Sequence, residues 1–182
     1  MTRKALAILK VSKTDAAKRQ LEAAIRLWFF DGDPVSIHTL AAAAHQLVHD
    51  LGKARGIATT LRELSNVRPE FRKQMRAAIA HDENFFKHAE RDPDALLEFK
   101  PITTTYMLGD AVFTYEALTS ERPPILRTFQ MWMMIQNPDL VKEEFRGHWL
   151  AQLKGIAPVL ERTSKQEFFS LYQSLIGKNE SA

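Results

Sequence analysis

"DPVSIHTLAAAAHQLVHDLG", residues 33–52, decides the fold. Asp33 is a helix N-cap type and Pro34 fits the first helical position, where its missing N–H is no loss. From there Ile37, Leu40, Ala41, Ala44, Leu47, Val48 and Leu51 recur at helical spacing. They hold one face for about four turns, and no alternating apolar–polar period competes with it. Each large aliphatic of that stripe contributes about 1.5–3 kcal/mol if fully buried, so the stripe demands partner helices. Gly52 then stands where such a helix would stop.

Working outward, the same period recurs. Thr14 is placed to cap a first helix, "DAAKRQLEAAIRLWFF", with Leu21, Ala24, Ile25 and Trp28 on its apolar side. "KARGIATTLRELSNV" (53–67) reads as a loop and a short helix, and Pro69 opens a third long helix running to about His88. Pro93 and Pro101 break the chain around "LLEF" (96–99), which is a candidate for extended backbone. Thr103 or Thr104 caps the helix "TYMLGDAVFTYEAL", and "ERPP" separates it from "ILRTFQMWMMIQ". "NPDL" opens "VKEEFRGHWLAQLK", and a last helix follows Thr163. The expected architecture is all-α: one helical bundle of about seven helices spanning 1–182, mostly with antiparallel neighbours. Residues 1–12 and 177–182 are expected to be peripheral or frayed.

Composition narrows the function classes. Of 182 residues none is cysteine, which excludes disulfides, Cys-ligated zinc or iron–sulfur centres and thiol catalysis. The apolar run Ala5–Leu9 is too short for a signal core, and no stretch approaches the roughly 18 apolar residues of a membrane span. A cytoplasmic protein without membrane contact is expected. The net charge of +3 leans weakly basic. Its densest cluster, "VRPEFRKQMR", puts Arg72 and Arg76 one turn apart beside Lys73; it is either a solvated face or a nucleic-acid contact.

Five of the six histidines fall on two helices. His38, His45 and His49 lie at i, i+7 and i+11, sharing a stripe roughly 40° wide at the border of the apolar face. His81, Asn84 and His88 form a similar border stripe on the third long helix, which Arg91 would continue. Packed antiparallel, the two stripes could face each other across a groove. Three chemistries compete for them. Border histidines can be structural, packing their rings and sending one nitrogen to a carbonyl or water. His45 and His49 have the spacing of one-turn metal ligands, yet no HExxH and no repeated Glu-x-x-His accompanies them, so neither metal nor cofactor is expected. Third, His88 could do acid–base work on a phosphodiester, with Asn84 as polar partner and Arg91 as the cation on phosphate.

At "DPVSIHTLAAAAHQLVHDL" and "ENFFKHAERDP" the chain resembles a family of uncharacterised bacterial proteins carrying DPVSIHTL and NFFKHA-RDP motifs. The likeness runs from about Ala16 to Pro138 and implies a family without implying an activity. More remotely, an all-α bundle bearing Asn-x-x-x-His near a helix end is similar to the HEPN superfamily. Many members of that superfamily are metal-independent RNases of toxin–antitoxin and phage-defence systems, and others are inactive. The resemblance implies Asn84 as the motif's polar residue and His88 as general acid/base. It departs at the motif's Arg, which is Glu83 here, a carboxylate that would repel the scissile phosphate. Arg76, with four residues between it and His81, makes a second formal match.

The combined expectation is a HEPN-like binding module for RNA or a partner protein. Its working residues would be His38, His45, His49, His81, Arg72 and Arg76. The alternatives are an endoribonuclease using His88, Asn84 and Arg91, and a His-ligated metal or cofactor bundle. Three smaller features stay open. "FQMWMMIQ" is core or an adaptable groove. One of Trp28, Phe29 and Phe30 could reach a homodimer interface, because three consecutive aromatics cannot all face one core. Asp110 and Glu116 are either buried or exposed.

Overall fold

A computed structural model describes residues 8–57, 69–137 and 162–179. The side chains of 71, 72, 74–76, 78 and 177–179 are not described. Among the described residues there are six helices and no strand: α1 (Lys13–Phe29), α2 (Pro34–Ala54), α3 (Pro69–Lys87), α4 (Ile102–Thr119), α5 (Pro124–Gln136) and α6 (Lys165–Asn179). The fold is all-α. The short helix expected within 53–67 and the one at 141–154 lie largely or wholly outside the described residues. No helix among them is long and apolar enough to cross a membrane.

Helix starts follow local side-chain chemistry, with two corrections. Asp33 caps α2 as expected: the Ser36 N–H donates to its Oδ2 at 2.7 Å, with Pro34 in the first turn. α1 is capped by Ser12 rather than Thr14, because Ser12 and Asp15 form a reciprocal capping box. Ser12 Oγ accepts from the Asp15 N–H at 3.0 Å, and an Asp15 carboxylate oxygen takes the Ser12 N–H. α4 begins at Pro101 without a side-chain cap, so neither Thr103 nor Thr104 caps it. Thr104 is needed inside, where it is 2 % exposed. "LLEF" is irregular rather than extended into a strand. At the C-terminal end α6 runs through Asn179.

Gly52 does not stop α2. The helix runs on to Ala54 and turns at Gly56, whose φ of +71° is the left-handed conformation glycine favours. Gly52 instead lets the returning chain approach: a Cβ there would lie 3.0 Å from the carbonyl oxygen of Ile57 and 3.8 Å from Thr114 Cγ2. Gly52→Ala is therefore expected to lose about 1–3 kcal/mol by overpacking against backbone, despite alanine's better helix propensity. Urea melts check this; an alanine variant as stable as the parent would show that the chain gives way easily.

α1 and α2, joined by residues 30–33, pack as an antiparallel hairpin whose interior is small: Ala17, Ala24, Ala41, Ala42 and Ala44 are all fully buried. α4 runs antiparallel to α1, with Trp28 bonded to Thr105 at one end and Lys18 paired with Glu121 at the other. Against α2, however, α4 runs parallel. His38 meets Thr104, His45 meets Asp110, and Arg55 reaches the Leu118 carbonyl, so both sequences climb together. The cause is the long return through residues 55–101, including α3, which brings the chain back to its starting level. α5 and α6 close the bundle antiparallel to each other, Trp132 against Phe168 and Thr128 against Gln173.

"FQMWMMIQ" is mainly core: Phe129, Gln130, Met133 and Ile135 are buried, and Met131 and Trp132 pack against them partly covered. Of the three aromatics ending α1, Phe29 is fully buried, Trp28 half-buried and Phe30 exposed.

Candidate functional site

The last two turns of α3 and the residue that follows carry His81, Asn84 and His88 at i, i+3 and i+7. The helix ends at Lys87, and the His88 N–H still closes a bond of 3.0 Å to the Asn84 carbonyl. The chain then bends rather than continuing, and the bend brings Arg91 and Asp92 to the same place. His81, Asn84, His88, Arg91 and Asp92 together line one surface cavity of about 290 Å³, with Phe85 as part of its apolar wall. The candidate catalytic residues are thus brought together, although Arg91 arrives from a turn and not from a helix stripe.

Each cavity histidine has a carboxylate at Nδ1. His81 lies 3.0 Å from Asp82 Oδ1, and His88 lies 3.3 Å from Glu90 Oε1. A carboxylate at Nδ1 favours the tautomer with its proton on that nitrogen, in which Nε2 is the acceptor. Glu83, which stands where a cation would be wanted, is paired with Lys87 at 2.6 Å and does not line the cavity. Its negative charge is compensated one turn along the helix. Arg72 and Arg76 lie on α3, but their side chains fall outside the described residues.

The other histidine stripe goes elsewhere. His38 is 1 % and His45 0 % exposed, and both turn toward α4 rather than toward an open groove. His38 Nδ1 is 2.8 Å from Thr104 Oγ1, and His45 Nε2 is 2.7 Å from Asp110 Oδ2. His49 is half-buried. None of the three lines the cavity at the end of α3. Phe86 of α3 and Phe99 of the following irregular segment cover the His38 ring edge-on, with centroids 5.6 Å and 5.2 Å away. At His38 the groove expected between the two stripes is occupied by these aromatic rings. Among the described residues no three His, Asp or Glu side chains are grouped as metal ligands. Asp110 is resolved as a buried partner of His45, with its side chain 8 % exposed. Glu116 is nearly buried too, its Oε2 4.0 Å from Arg122.

Comparison with family models, with curated proteins and with solved structures finds no match to this chain. The site therefore has to be read from its own geometry.

His38 Nε2 is buried without a hydrogen-bond partner. Burial holds its pKa below the ordinary imidazole value of 6.5; Asp82 and Glu83 pull the other way and Lys87 adds to the depression. The native state thus binds a proton at His38 less readily than the unfolded chain does. Stability from neutral His38 is present above about pH 6.5 and is lost as pH falls from there through the native value. Urea melts between about pH 7.5 and pH 5 should show a steeper acid loss for the parent than for His38→Gln, which does not titrate. Parallel pH profiles would remove His38 as the cause.

Proposed function

We propose that the chain is a helical-bundle binding module that takes a phosphodiester, as in single-stranded RNA, in the cavity at the C-terminal end of α3. The observation that carries this reading is the convergence of His81, Asn84, His88 and Arg91 on one cavity, from a helix and from the turn after it. Arg91 supplies a permanent cation with a planar fork of donors suited to phosphate oxygens. Asn84 supplies a neutral donor and acceptor, and the two histidines supply Nε2 atoms that become donors when protonated. The pairing of Glu83 with Lys87 lessens the repulsion a bare carboxylate would exert beside such a ligand. The HEPN-like setting is supported by the Asn84–His88 spacing and by the all-α fold. Interaction with a partner protein through the same face, and a homodimer, remain rivals of the RNA reading and are separable by the same experiment.

That experiment is fluorescence anisotropy with a short unstructured RNA across a salt series, beside size-exclusion of the protein alone. Arg91→Ala is expected to weaken binding about tenfold and to flatten the salt dependence by about one phosphate contact. Binding unchanged by Arg91→Ala and His81→Ala together would refute the site.

One contact favours a second reading, the endoribonuclease. His88 has a carboxylate, Glu90, at Nδ1 and a cation-bearing cavity at its other edge, the arrangement of an oriented general base. RNA cleavage lost in His88→Ala with RNA binding kept would establish it; cleavage that survives the change would end it.

A further inference from the structure

A second cavity, of about 320 Å³, opens where the end of α1 meets the first turns of α2, α4 and α6. It shares no lining residue with the cavity at the end of α3. Trp28, Ile37 and Ile102 give it apolar walls, and Thr104, Thr105 and Lys165 supply its polar groups. Small-ligand sites combine apolar walls with a few convergent polar groups in this way, and this volume lies at the small end of their range.

The polar groups can be inventoried by what each still has to offer. Thr105 Oγ1 already accepts the Trp28 indole N–H at 3.0 Å, so the proton of its hydroxyl is free to donate. Lys165 Nζ gives one proton to the Trp28 carbonyl at 3.0 Å and one to Asp31, which leaves a third. It also lies 4.6 Å above the Trp28 ring, which fixes the ammonium at the cavity wall. α4 starts at the cavity, where the Thr103 and Thr104 N–H groups already donate to the Lys100 and Pro101 carbonyls, so the side chains of Lys165 and Thr105 are the donors to count. The side-chain acceptors carry partners too: Asp31 accepts from Lys165 and Gln166, and the Thr104 hydroxyl is bonded to His38. The remaining Lys165 and Thr105 protons are donor capacity beside apolar walls.

We propose that this cavity binds a small organic monocarboxylate with an aromatic or branched apolar body. The carboxylate accepts from Lys165 and Thr105 at the α4 N-terminus, and the apolar body lies against Trp28, Ile37 and Ile102. A single negative charge is specified by Asp31. Its carboxylate is part of the cavity wall, held below the usual carboxylate range by the hydrogen bonds from Lys165 and Gln166, so a dianion would meet a second anion there.

Isothermal titration with phenylacetate as the probe tests the site, with phenylacetamide and phenyl phosphate as matched neutral and dianionic arms. Phenylacetate is expected to bind saturably, and each of the other two at least about tenfold more weakly. Lys165→Met should weaken phenylacetate at least about tenfold. Because that change also removes the tie to Asp31, Ile102→Trp is the second variant: position 102 is exposed, so the larger ring fills the cavity mouth without disturbing the core. It should block binding with an unchanged melting temperature. No saturable binding of phenylacetate up to about 10 mM would overturn the proposal, as would equal binding of the amide, tighter binding of phenyl phosphate, or full binding by both variants.

Discussion

Phe29→Ala is expected to be the most destabilising truncation in the bundle, at about 3–5 kcal/mol. Phe29 is fully buried at the end of α1 and is the hub of an aromatic cluster. Its ring packs edge-on against Trp28, Phe129 and Trp132, stacks in parallel with Phe168 and tilts against Phe169. The cluster therefore joins α1 to α5 and α6, helices distant in sequence. Truncation leaves a void lined by rings that cannot collapse, since each is held by a further partner, such as Tyr172 stacked on Phe168. Edge-to-face contacts add to the area lost. For a chain of this size the loss corresponds to a melting-temperature drop on the order of 6–20 °C. Thermal melts of Phe29→Ala against Phe30→Ala, a neighbour that is 55 % exposed, make the comparison. Similar drops for both would mean that the hub is not where the structure puts it.

The same cluster shows what the sequence could disclose. Trp28-Phe29-Phe30 read as three aromatics that cannot all face one core, and the chain buries the middle one most deeply. The start of α2 and the bounds of α5 were legible because proline and Asx chemistry punctuate them. Less legible was any choice between two adequate local signals. Ser12 wins over Thr14 because only Ser12 has an acid three residues on, at Asp15. Gly52 looked like a stop because propensity carries no knowledge of Ile57 folding back onto it.

The candidate site was legible in part. His81, Asn84 and His88 were on one face by arithmetic, but Arg91 joins them only because the chain bends after Lys87. For His38 and His45 the period was right and the destination wrong. Border residues at a helical period do not reveal which neighbour they meet, and an antiparallel prior points to the wrong one when two helices run parallel. A signal was present all the same. Thr104 and Asp110 are six apart on α4, close to the seven of His38 and His45, a spacing that lets two polar pairs form in register between α2 and α4, although it does not fix their direction. The cavity around Trp28 and Lys165 was not legible, because its lining comes from four helices whose meeting no local pattern specifies.

The second of those polar pairs sets up the other large effect. His45 is fully buried and Asp110 nearly so, 2.7 Å apart between α2 and α4. Asp110→Ala is expected to cost about 1–3 kcal/mol, because it takes the carboxylate away from the buried His45 ring. Asp110→Asn keeps an acceptor of the same shape and should cost closer to about 1 kcal/mol. The decisive variant is the double one, His45→Phe with Asp110→Leu. Replacing both partners by apolar groups removes the desolvation penalty together with the attraction, so the double variant should be more stable than Asp110→Ala alone. If the double variant and its two single changes, His45→Phe and Asp110→Leu, instead showed simple additivity, the two residues would not act as a pair. With the expected non-additivity, the pair contributes little net stability, and its physical effect is to fix register. A one-turn slip of α4 along α2 would strand His45, Asp110, His38 and Thr104 at once, whereas an all-apolar interface would tolerate it. That register also sets where the α4 N-terminus, and with it Thr105, stands beside Trp28 and Lys165.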